Sequence, residues 1–277
     1  MAASVDVLDV LDDREDLRSL RRDLREAAAK MSEAEARFLV DTYYSMQKRR
    51  IRAGNQIRAL GETGEPHAIL ERLGDAAADL ERMVKSALDV YSRQSPLGEW
   101  ARAQKGIGPV IAAGLLAHID LDRARTAGSI WAFAGLDPTR KWERGQKRPH
   151  NAQLKTLCWK MGESFVKVSG HEDAFYGHLY AERKVYEQKQ NEAGAYAEQA
   201  ARMLKDRPKH AQAAIYAEGK LPDGHLHMRA KRYAVKMFLA HYFEVGKLIR
   251  GEAPPAPYAV AHQGHAHYVP PPEPKVW

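Results

Sequence analysis

The sequence predicts an all-α protein. Three observations carry that reading: apolar residues recur at three- and four-residue steps, no stretch alternates with period two, and proline and glycine clusters fall between the periodic segments. The architecture expected is an antiparallel coiled-coil arm, a compact helical core and a helical C-terminal extension. At 277 residues the chain can bury a sizeable core without covalent staples. Its single cysteine, Cys158, excludes an internal disulfide and a Cys-rich metal site. A net charge of +7 and a pI near 9.3 favour a polyanionic partner. No apolar run reaches membrane-spanning length and the start, MAASVDVLDVLDD, is acidic, so a cytoplasmic protein is expected, with neither a membrane span nor a secretory leader.

From Val5 to Met31 leucines 8, 11, 17, 20 and 24 lie roughly on one stripe, which predicts an N-terminal helix over 1–31. Ser32-Glu33-Ala34-Glu35 is a capping-box pattern, so a long helix should start there. Its apolar positions, Leu39, Tyr43, Met46, Ala53, Ile57 and Leu60, step by four and three with Arg50 interrupting, as a heptad seam does. Gly61 to Pro66 breaks the helix. A second stripe, Ile69, Leu73, Ala76, Leu80, Met83, Ala87 and Val90, runs to Ser95-Pro96. The two helices should pair antiparallel over 32–95, and at 1.5 Å per residue the arm would project roughly 40 Å. Such an arm commonly joins two copies, so a homodimer is expected.

After Pro96 shorter helices alternate with glycines 106, 108, 128, 135 and 145, placing a compact core at 96–170. A charged helix from Ala174 to about Lys205, a short helix after Pro208 and a long one over about His227 to Ile249 make up the extension at 171–250. Residues 251–277 are rich in proline and histidine and read as a tail.

The most informative run is Lys105-Gly106-Ile107-Gly108-Pro109, entering an apolar helix through Leu116. Glycines ahead of a helix that opens on proline leave backbone N–H groups free at its positive end, where a phosphate can be held, a helix-hairpin-helix type signature. The competing reading is that Gly106 and Gly108 only let helices approach closely. Downstream, Arg140, Lys141, Arg144, Lys147, Arg148, Lys155 and Lys160 stand against one acid, Glu143. Trp142, His150, Asn151 and Trp159 are interleaved among them and can stack on or hydrogen-bond bases. The predicted nucleic-acid interface is therefore Lys105, Gly106, Gly108, Arg140, Lys141, Trp142, Arg144, Lys147, Arg148, Asn151 and Lys155. Arg49, Arg50, Arg52 and Arg58, and Lys231, Arg232 and Lys236, would extend its field or serve as ordinary surface. His225, His227, His262, His265 and His267 have spacings that make a metal site thinkable, but no cysteine or carboxylate lies among them, so neither metal nor cofactor is expected. Ser164 and Ser169 lack a recognisable base or oxyanion partner.

The block from Gly106 through Glu163, with GIGPVIAAGLLAHID, then IWAFAGLDPT and a basic turn entering a helix, resembles the C-terminal domain of the 110/116/902 insertion-sequence transposases. The resemblance implies a mobile-element protein that handles DNA. In those enzymes an N-terminal ribonuclease-H-like domain supplies acidic metal ligands, and a serine follows the glycine-leucine-x-proline turn. Here Asp6, Asp9, Asp12 and Asp13 fall on a helical pattern and no serine lies between Thr139 and Lys147, so a protein without catalytic activity is expected. The element order, a long helical hairpin before a glycine-proline core, is also similar to the Nop domain of box C/D ribonucleoproteins and to the related phage-borne Tas proteins of tandem interspaced guide RNA systems. That likeness implies a structured or guide RNA as partner, in a bacterial or phage-infected cell. The expected function is RNA-guided DNA binding, with duplex binding by a recombinase-related protein as the alternative.

Overall fold

In the computed structural model the described residues are 19, 22–64, 68–140, 142–255 and 268–272, and among them every regular element is helical. Of the predicted N-terminal helix only its end is described, with 22–28 helical. Asp6, Asp9, Asp12, Asp13, Lys141, His262, His265 and His267 lie outside the described residues. The chain forms two compact units: residues up to Arg102 with Gly108–His118, and Ala103–Ile107 with the chain from Ile119 onward.

The first unit is built on α1 (Glu33–Thr63) and α2 (Ala68–Arg93), which pair antiparallel. Ser32 caps α1 reciprocally with Glu35, as its sequence predicts, and Gly64 closes it at φ +72°. The seam on α1 falls on the expected positions: Leu39, Tyr43, Met46, Arg50, Ala53, Ile57 and Leu60 are all half-buried. Arg50 belongs there because its Nε donates to Glu81 at 2.6 Å across the pair. On α2 the seam lies one residue along from the predicted stripe. Gly74 approaches Ala53 and Ile57, Glu81 meets Arg50, and Val84 and Leu88 pack with Val40. Two apolar stripes run side by side on α2, and the position of Glu81 opposite Arg50 selects the one containing Leu70, Gly74, Ala77 and Val84. Ile69 and Leu73 are consequently 76% and 60% exposed.

Two short helices complete this unit, α3 (Pro96–Ala103) and α4 (Pro109–His118). The segment 96–170 contributes α4 to the hairpin, against both of whose helices it packs. Val110, Ala112, Ala113, Leu115 and Ala117 are buried, so α4 is itself apolar all round, the pattern of a buried helix. Arg37 donates to the Ala117 carbonyl and so takes up one of the helix's terminal acceptors.

The second unit is organised around α10 (Asp223–Ile249), against which α5 (Ala127–Phe133), α6 (Ala152–Lys167) and α7 (Phe175–Glu192) pack. On α6 Leu154, Leu157, Cys158, Met161 and Phe165 form the three-four stripe that faces inward. Phe165, Tyr176, Phe238 and Tyr242 build an aromatic core, with the Phe165 and Tyr176 rings stacked at 5.2 Å. Gly162 lets α6 and α10 approach, since a Cβ there would lie 2.7 Å from the Lys231 Cγ. The single charged helix expected from Ala174 to Lys205 is interrupted: α7 ends at Glu192, Gly194 turns at φ +77°, and α8 (Ala197–Asp206) follows. Asn191 makes that break by pairing with both the Leu221 N–H (2.8 Å) and the Leu221 carbonyl (3.0 Å). The short α9 (Ala213–Ala217) supplies Tyr216 to a small cluster with Ala200, Leu221 and Leu226.

Beside it Glu187, 1% exposed, receives Arg183 at 2.8 Å, Arg229 at 2.6 Å and the Tyr196 hydroxyl at 2.5 Å. Burial alone would raise its carboxyl, but these donors win and hold it below the usual range. At the C-terminal end His241 joins the core to segment 268–272, with Tyr176 on its Nδ1 at 2.9 Å and the Val269 carbonyl on its Nε2 at 2.9 Å.

Candidate nucleic-acid interface

Thr126 and Ser129 cap α5 reciprocally, and the helix ends in a turn at Gly135. There φ is +67° and a Cβ would lie 2.9 Å from the His150 ring, so glycine is required on both counts. The chain leaves the packed helices at this turn and returns at Asn151, whose N–H donates to the Phe133 carbonyl at 2.9 Å. The Asn151 side chain accepts from the Leu154 N–H at 3.0 Å and starts α6. The described residues between 134 and 150 thus belong to a loop whose two ends meet, in the manner of an Ω-loop.

The loop is ordered by its own polar groups. Asp137 accepts from the Thr139 hydroxyl at 2.7 Å and the Thr139 N–H at 2.9 Å, and Arg140 lies 3.6 Å away. The Thr139 bonds, with a smaller contribution from Arg140, keep the Asp137 carboxyl below its ordinary value. Trp142 is half exposed; its Nε1–H donates to the Gln146 carbonyl at 2.8 Å, and the Arg148 guanidinium sits 5.1 Å from its ring centroid. Arg144 and Lys147 are exposed. Gly135, Asp137, Arg140, Trp142, His150 and Lys155 line a pocket of about 210 Å³. Burial, then the positive charges of Lys155 and Arg148, lowers the His150 pKa, so its imidazole is neutral at pH 7.

The structure therefore brings Arg140, Trp142, Arg148 and Lys155 together, with Arg144 and Lys147 on the same loop. Asn151 is placed as a helix cap. Gly106, at φ +98°, approaches α6: a Cβ would meet Phe165 at 3.1 Å and Val168 at 3.3 Å, and its carbonyl accepts from Ser164 at 2.6 Å. Close packing accounts for that glycine, while Lys105 beside it is exposed. Gly108 accepts from the Ala112 N–H at 3.0 Å as α4 begins, and a Cβ there would meet open space.

The other cationic sets divide. Arg50 is committed to Glu81, and Lys231 is 4% exposed and bonded to Glu163, whereas Arg49, Arg52 and Arg58 are exposed. Lys236 lies 4.7 Å from the Trp131 ring centroid, and Trp131 donates to the Lys236 carbonyl at 3.0 Å, which fixes α5 on α10. His227 accepts or donates with the Tyr180 hydroxyl at 2.8 Å, and among the described residues no three metal-ligating side chains converge. Sequence reasoning named His150 as able to contact bases but left it out of the interface, and it missed Asp137. The close spacing of Asp137 and Thr139, a turn-forming pair, was the available signal for the second.

Residues 101–176 match the model of the transposase IS116/IS110/IS902 family, as the resemblance of the Gly106 to Glu163 block led us to expect. The matched segment takes in α4, α5, α6 and the start of α7, about a quarter of the chain. No curated protein matches the chain, and no solved structure does. The match corrects the expectation that the protein is catalytically silent, because the transposases of this family are recombinases. That expectation rested on one serine position and on acids at 6–13. The acids lie outside the described residues, and a local pattern in one loop does not outweigh a match to a transposase family. Among the described residues no helix is long and apolar enough to cross a membrane.

Proposed function

We propose that the chain is a mobile-element recombination protein whose 134–150 loop grips the backbone of DNA. The observation that carries this is the placement of Arg144, Lys147 and the Trp142–Arg148 stack on an exposed closed loop within the transposase-family segment. Backbone neutralisation by such cations releases counterions, so affinity falls with salt by a slope of about 0.9 per phosphate contact on duplex DNA. Changing Arg144, Lys147 and Arg148 together to glutamine should make the slope shallower by about 2.7, roughly 40-fold less loss of affinity between 50 and 200 mM salt. Unchanged affinity and slope refute the reading.

A structured or guide RNA is the second ligand reading, supported by the antiparallel hairpin that precedes the glycine-proline helix. Competition between duplex DNA and structured RNA for the wild-type protein decides between them. For partners we propose a second copy of the chain on the hairpin. The exposed Ile69 and Leu73 of α2 continue the same three-four stripe as buried Met83 and Ala87, and so offer a second apolar seam beside the one used within the chain.

A further inference from the structure

The pocket beneath the loop has a composition that backbone gripping does not use. Its walls combine an indole held in orientation by Gln146, a neutral imidazole and two cations, Arg140 and Lys155. At about 30 Å³ per water in the liquid, its volume of about 210 Å³ corresponds to roughly seven waters, space for one planar ring system. We propose that this pocket holds a single unpaired nucleotide of a DNA strand, its base against Trp142 and His150 and its phosphate against Arg140 and Lys155. The inference rests on the DNA-binding reading above and specifies the form of the substrate.

Each part of the pocket suits one part of a nucleotide. A flat aromatic surface takes any base by stacking. A neutral imidazole presents one donor and one acceptor, and so can pair with a base edge without requiring a charged partner. The one acid, Asp137, is occupied by Thr139 and faces Arg140, which offsets its repulsion of a phosphate. The walls are also formed in advance. Around the Gly135 turn the His150 ring and the Lys155 Cδ both come within about 3 Å of where a Cβ would be, so these side chains are held by contact with the backbone. DNA is favoured over RNA by the family match of the segment that builds the pocket. Taking a base out of a duplex costs stacking and pairing energy, so an already unpaired base is the substrate this pocket should select.

The test measures the affinity of the full chain for three duplexes of one sequence: fully paired, with a single unpaired adenosine, and with an abasic residue at that position. The abasic duplex has the same flexibility and the same phosphates as the bulged one. The expected result is a bulged-to-abasic affinity ratio of about ten, within the range for one base on an aromatic ring. Trp142→Ala and His150→Gln should each bring the ratio towards one, whatever they do to affinity for paired DNA. Arg144→Gln with Lys147→Gln should weaken all three duplexes and leave the ratio intact. An equal affinity for bulged and abasic duplexes, or a ratio that survives Trp142→Ala in a protein of unchanged helical content, overturns the pocket assignment alone. A larger ratio on the corresponding RNA duplexes overturns its assignment to DNA. If no duplex binds, the DNA-binding reading falls and the pocket assignment with it.

Discussion

Substituting Gly162 by alanine sets two known effects against each other at the crossing of α6 and α10. Alanine is favoured over glycine inside a helix by about 1 kcal/mol, so a free surface would show stabilisation. At this position the new methyl would lie 2.7 Å from Lys231 Cγ, 3.0 Å from its Cδ and 3.2 Å from Val235 Cγ2. The lysine stem cannot move aside cheaply, because Lys231 is 4% exposed and its ammonium is bonded to Glu163 and lies 5.3 Å from the Trp159 ring centroid. Forcing one methyl into such a contact costs roughly 1–3 kcal/mol, so Gly162→Ala should be net destabilising by about 1 kcal/mol. Shortening the obstacle reverses the sign: in a Lys231→Ala background the same change should stabilise by up to about 1 kcal/mol. Urea unfolding of the four proteins of this double-mutant cycle, followed by circular dichroism, measures both numbers. Stabilisation by Gly162→Ala in the wild-type background, or equal effects in both backgrounds, would refute the account of the crossing.

Three further outcomes follow from the geometry. Ile69→Lys with Leu73→Lys should leave helical content and thermal midpoint nearly unchanged, since both side chains are exposed, yet shift sedimentation towards the monomer; a dimer that persists removes the proposed hairpin interface. Burial lowers the His241 pKa, and protonation would cost it the role of acceptor from Tyr176. A depressed histidine stabilises fully above its unfolded value of about 6.5 and loses that contribution as pH falls through the folded value. His241→Gln should therefore flatten the fall in urea midpoint between pH 7.5 and 5, and an unaltered slope would count against it. Cys158 is buried, with its thiol pushed up to about 12, so a thiol-specific disulfide reagent should label it only in step with unfolding of the second unit.

The sequence made α1 legible down to its capping box because that helix carries one apolar stripe and its signals are local. On α2 two adjacent stripes compete, and the choice depends on a partner on the other helix, Arg50, which no window along α2 contains. The interruption at Gly194 was obscured for a similar reason: Ala174 to Lys205 has helical composition throughout, and the break is enforced by Asn191 reaching Leu221, thirty residues away. In the site, the cationic and aromatic character of the loop could be read from composition alone. Its closure could not, since the Phe133–Asn151 bond spans the entire loop and turns a presumed base-contacting asparagine into a cap. Gly106 looked like a phosphate-binding glycine because sequence shows freedom of the backbone and not what lies against it, here Phe165 and Val168.

That single closing bond has a consequence for how this protein can vary. Because the loop enters and exits at one point, changes in its length or sequence need not propagate into the helices on either side. Gly135 and Asn151 mark the natural splice points, and a segment exchanged between them from a relative would arrive with its own charges and ring stack on an unaltered frame. Recognition can then diversify faster than the scaffold, and chimeras joined at those two residues should fold even where their preferences for nucleic acid differ.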